Sequence, residues 1–150
     1  MADNGIFDIF TVSNLFRKLR HDYQRVSADP ADRWAAIDFV LTADSLRHWA
    51  IHDKSCGATA HITVVQICRE LANRSKHWQA GSVVVKESKA IDSGFQFDAF
   101  GPGFQRGILA VALDGNAEKE FGPEIGFEDL ARRTFEFWTA ELESGSSSTS

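Results

Sequence analysis

Cysteine is scarce in this chain: its 150 residues hold two, Cys56 and Cys68. They form neither a disulfide framework nor a CxxC pair, so free thiols in a reducing cytoplasm are the expectation. Long apolar runs are missing as well. No stretch approaches the roughly 20 residues that cross a bilayer, and Met1 to Gly5 does not resemble a secretory signal. No membrane partner is expected. Positive charge is in the minority, with 16 Lys and Arg against 21 Asp and Glu and a net charge of −5. That balance argues against a broad electrostatic grip on nucleic acid and leaves room for a local basic patch. A P-loop, a GxSxG elbow, zinc-type cysteine pairing and an internal repeat are all absent. No cofactor is expected.

Aromatic residues are plentiful instead, with 12 Phe and 4 Trp. So many large rings argue for a well-filled interior, and the length fits one domain. The expected domain covers residues 1–143. Ser144 to Ser150 (SGSSSTS) cannot bury anything and is expected to be a disordered tail.

Apolar periodicity predicts four helices. The first, over about 11–26, carries Val12, Phe16, Leu19, Tyr23 and Val26 at three- and four-residue steps. Asp29-Pro30 then predicts an N-cap and first turn for a second helix over about 30–51. This helix is apolar nearly all round, apart from a strip with Asp38, Thr42 and Ser45, as suits the middle of a bundle. A third helix, over about 59–76, buries Val64, Ile67, Cys68, Leu71 and Ala72 and turns Gln66, Arg69, Asn73, Lys76 and His77 outward. A fourth, over about 127–142, has Phe127, Leu130, Ala131, Thr134, Trp138 and Leu142 in one stripe. Its Glu128 and Asp129 lie where the helix dipole favours negative charge.

Between the third and fourth helices the period changes to two. Residues 94–113 read as a β-hairpin about Gly101-Pro102-Gly103, with a further turn at Asp114-Gly115 and an edge strand over Ser82 to Lys86. The expected fold class is α+β, mainly α: a four-helix bundle with a β-hairpin between helices 3 and 4.

One polar constellation offers chemistry. Arg69, Asn73 and Lys76 fall on one helical face, with His77 at its margin. Imidazole exchanges protons near neutral pH, while arginine and lysine hold phosphate. Such a set can bind or cleave a phosphodiester, with His77 as acid or base and Arg69 or Lys76 on the developing charge. Asp38 or Glu70 can orient the imidazole. The same residues also suit the wet side of any amphipathic helix. His48 and His52 form an i, i+4 pair, but HExxH is absent and no metal is expected. Gly101 to Gly107 precedes a strand rather than a helix and reads as a turn, not a phosphate cradle.

The segments Ala36 to Trp49 and Ile67 to His77 resemble a group of bacterial and phage proteins with the pattern N-F-x-x-T-A-x-x-L-x-x-W, then C-R-[DE]-x-x-N-G-x-K-H, a hairpin and an aromatic last helix. Thr42, Ala43, Leu46, Trp49, Cys68, Arg69, Glu70, Asn73, Lys76 and His77 match it; Asp38 stands where it has Asn, and Arg74 where it has Gly. More remotely, the helical arrangement is similar to HEPN domains, α-helical bundles that are often dimeric. Many are metal-independent ribonucleases of toxin or defence systems, and others bind nucleic acid or partner proteins without catalysis. Their Arg and His stand four to six residues apart, whereas seven separate Arg69 from His77 and two separate Arg74 from His77. The resemblance implies a homodimer with RNA or a nucleotide as partner. Its catalytic residues would be His77, Arg69 and Asn73, with Lys76, Glu70 and Asp38 supporting them. A protein-interaction or homodimerisation module is the alternative.

Overall fold

A computed structural model of the chain describes residues 6–9, 11–53, 62–77, 81–91 and 108–147. Among them, five helices and three strands follow in the order α1 (Val12–Ala28), α2 (Arg33–His52), α3 (Thr63–Lys76), β1 (Val85–Ile91), β2 (Ile108–Leu113), α4 (Gly115–Phe121), β3 (Glu124–Gly126) and α5 (Phe127–Ser147). The α+β, mainly helical class is as expected. The count of four helices is corrected to five, and the described strands form a three-stranded antiparallel sheet in the order β1-β2-β3.

Local chemistry sets the helix ends. Thr11 and Asn14 exchange side-chain and backbone hydrogen bonds in a capping box that starts α1. The second helix is capped by Asp32 rather than Asp29: Asp32 accepts from the Trp34 and Ala35 N–H groups at 2.9 and 3.1 Å. Asp29 instead closes α1, where its N–H bonds to the Arg25 carbonyl. Pro30 therefore precedes α2 rather than opening it. The helix turns Ala35, Ala36, Phe39, Val40 and Ala43 to the core and leaves Trp34 76% exposed, so it is not enclosed on every side as the middle of a bundle would be.

The strands depart further from the expected pattern. The second strand of the expected hairpin is β2, and its described partners are β3 and β1, the latter overlapping the proposed edge strand only at Val85 and Lys86. The first strand expected near Phe95 and Phe97 lies outside the described residues. Asp114 caps the short helix α4 rather than forming a simple turn. Gly122, at φ 91°, then turns the chain into β3, a backbone conformation that favours glycine. The last helix runs on to Ser147, past the expected end at 142.

The core lies between α1, α2, α3, α5 and the inner face of the sheet. Leu19, Phe39, Leu46, Ile67, Leu130 and Trp138 are buried within it, as are Val111, Leu113 and Ile125 from the strands. The Phe135 ring stacks on Phe16 and Tyr23 at centroid distances of 5.5 and 5.0 Å, tying α5 to α1. Cys68 lies in the same interior, and its sulfur is 3.4 Å from the Thr134 hydroxyl. Burial pushes the thiol up to about 12, so the reactive thiolate is suppressed. In a Cys56→Ala variant, an aromatic disulfide reagent at mildly alkaline pH should leave Cys68 unlabelled until denaturant unfolds the chain.

Candidate functional site

Three buried carboxylates organise the polar chemistry. The first is Asp22 on α1, on the core side of the helix. Its Oδ2 accepts from the Thr42 hydroxyl at 2.6 Å and from Lys18 Nζ at 2.8 Å, and Lys18 also donates to Thr42 at 2.7 Å. These bonds join α1 to α2 within the helix pair. Nearby, Arg25 pairs with Asp38 at 2.6 Å. The Asp38 bond raises the Arg25 pKa above its ordinary value. Asp38 is thus engaged on the α1 side of α2.

The second is Glu70 on α3. Its Oε1 accepts from the backbone N–H groups of Val83, Val84 and Val85 at 2.8, 3.0 and 3.0 Å. One turn later Arg74 donates to the Ser82 hydroxyl and to the carbonyls of Val85 and Lys86. Together the two side chains fasten α3 to the entry of β1. Glu70 is a structural fastener there and does not orient the His77 imidazole.

The third is Asp44 on α2, 2% exposed. Arg47 reaches its Oδ1 with Nη2 at 3.0 Å, and Lys76 approaches its Oδ2 at 3.5 Å. Arg47 Nη2 also lies 2.7 Å from His48 Nε2. Two cations thus share one carboxylate, leaving one positive charge in excess where α2 meets the end of α3. Of the residues singled out in the sequence, Lys76 joins this cluster. Arg69 and Asn73 precede it by seven and three residues on the same helical face. Arg69 is exposed, and neither side chain has a partner among the described residues.

His77 is the C-cap of α3. It is exposed in extended backbone, and its N–H bonds to the Asn73 carbonyl at 2.8 Å. Arg69, Lys76 and His77 are exposed and Asn73 is half-buried, whereas Glu70 is turned to the entry of β1 and Asp38 to Arg25 on α1. Among the described residues, no three of His, Cys, Asp and Glu are grouped to hold a metal ion. No described helix is long and apolar enough to cross a membrane.

Sequence reading missed Asp22 and Asp44. Asp22 lies three residues after Leu19 and four before Val26, so it occupies a position in the apolar stripe itself. Asp44 follows Ala36 and Val40 at steps of four and precedes Arg47 by three, another acid on a buried line with a cation one turn away. A comparison of the chain with family models, curated proteins and solved structures finds no match in any of the three. The class that the geometry defines is a mainly helical α+β domain, with the buried Asp44 paired to Arg47 and Lys76 between α2 and α3.

Proposed function

We propose that this chain is an HEPN-like protein that binds RNA through Arg69, Asn73, Lys76 and His77, in the bacterial or phage defence or toxin setting that the resemblance implies. One observation carries the reading: Arg47 and Lys76 share the single buried carboxylate of Asp44, beside an Arg69 with no partner among the described residues. A local excess of fixed positive charge on an acidic chain is what phosphate contacts require, and Asn73 adds a donor and an acceptor for a sugar or base edge.

Binding is better supported than cleavage. Attack of a ribose hydroxyl on the adjacent phosphate needs a base to take the hydroxyl proton and an acid to protonate the leaving oxygen. A single exposed His77 supplies one of these groups, and a second copy of the chain would supply the other. Cutting without metal is thus a property of the dimer in this reading.

Fluorescence anisotropy with a labelled single-stranded RNA tests the proposal. Arg69→Glu combined with Lys76→Glu should weaken binding at least about tenfold, and the salt dependence should flatten by about two phosphate contacts. Equal affinity for the wild type and the double variant would refute it. With EDTA present, any cutting should disappear in His77→Ala while the melting temperature is unchanged.

A protein-interaction module has one observation in its favour: Trp34 and Ile37, three residues apart on α2, are both exposed. Light scattering separates the two readings. A dimer that dissociates in Trp34→Ala while RNA affinity is absent throughout would favour the interaction module.

A further inference from the structure

The inner face of the sheet extends beyond the part that the helices cover. Ser88 and Ala90 on β1 lie opposite Val111 and Leu109 on β2, so these four side chains share one face. Val111 is buried under the helices, whereas Ser88 and Ala90 are exposed. The first turns of α2 and the last turn of α3 stand across from them. A cavity of about 430 Å³ lies between these elements, within the range of small-molecule sites.

The lining has a definite chemical character. Val40, Leu71 and Leu109 supply apolar wall from three different elements, and the cations Arg33, Arg74 and Lys89 border it. The lining residues include no carboxylate. Lys89 is already paired with Glu124 at 3.2 Å, on the outer side of the sheet. The other two cations differ: neither Arg33 nor Arg74 has a carboxylate partner among the described residues. Arg74 uses Nε and Nη2 for its bonds to Ser82, Val85 and Lys86, and its Nη1 donors have no partner among the described residues. It is thus a guanidinium held rigidly by structural bonds with donors to spare.

We infer that this cavity is a binding site for a small anion with an apolar body, its carboxylate or similar head held by Arg33 and Arg74 and its body against Val40, Leu71 and Leu109. An aliphatic floor selects against a strongly hydrated ligand such as inorganic phosphate, and the two guanidiniums select against a neutral or cationic one. The site lies toward the sheet side of α3, apart from the face proposed for RNA, and does not depend on that proposal.

Competition against anilinonaphthalene sulfonate, a fluorescent apolar anion, tests the inference on the full chain. The dye should bind saturably with one site per chain, and decanoate should displace it at least about tenfold more effectively than decanol. Arg33→Glu, a change at an exposed position, should weaken decanoate by about tenfold or more and leave decanol unchanged. Ser88→Trp, which fills the cavity from an exposed strand position, should abolish binding of both without moving the unfolding midpoint. Absence of saturable binding to the wild type, equal displacement by decanoate and decanol, or undiminished decanoate affinity in Arg33→Glu would overturn it.

Discussion

Replacing Glu70 with alanine should lower the free energy of unfolding by about 3–5 kcal/mol. The carboxylate accepts three consecutive backbone N–H groups, two of them on the buried residues Val84 and Val85. Val83 and Val84 precede the ladder with β2, which begins at Val85, so the alanine variant leaves N–H groups without an acceptor in a place water reaches poorly. Each unsatisfied buried donor costs about 1–3 kcal/mol, and the losses overlap because they share one partner. Glu70→Gln keeps one acceptor oxygen but turns an amide toward a cluster of donors, and should lose about half as much. Guanidinium denaturation measures both. A loss below about 1 kcal/mol for the alanine variant would mean that the entry of β1 is held by other contacts.

A loss of about 2–4 kcal/mol is expected for Asp22→Ala. Asp22 is 1% exposed and takes bonds from both Lys18 and Thr42. Removing it leaves the Thr42 hydroxyl buried without its short acceptor and Lys18 without its counter-charge. The lysine is partly exposed and can turn its ammonium to water, which holds the loss below that of a fully enclosed pair. Thr42→Val alone should cost about 1–2 kcal/mol. In a double-mutant cycle the two changes should couple by about 1 kcal/mol, since they remove the same bond. Additive losses would contradict the bond geometry.

These two residues also show what the sequence could and could not disclose. The stripe of α1 was legible from Phe16, Leu19 and Val26 because burial on a helix repeats every three or four residues. The acid set into that stripe was equally visible as a pattern, and its Lys18 partner lies only four residues away. The Thr42 partner, by contrast, comes from another helix that only the fold brings near. Glu70 is the harder case: its partners lie 13 to 15 residues downstream in a segment with no local bond to predict.

The missed helix α4 has a similar cause. Its seven residues, GNAEKEF, bury only Ala117, so no apolar period marks it, and an Asp-Gly step reads more readily as a turn. The edge strand was placed too early because Val83 to Val85 favour extended backbone. The ladder begins at Val85, whose N–H is the last of the three that Glu70 holds.

The exposure of Arg69 and Lys76 on α3 was legible because helical spacing sets them opposite the buried Ile67, Cys68 and Ala72. The bonding of their neighbours was not. Asp44 and Arg47 come from α2, and together they hold Lys76 from α3 in one charge cluster.

Amide chemical-shift perturbation with a short single-stranded RNA reads the proposed RNA contact residue by residue. Shifts concentrated at Arg69, Asn73, Lys76 and His77, with Arg47 and His48 beside them, are the predicted result. No saturable shifts, or shifts confined to β1 and the first turns of α2, would contradict the account.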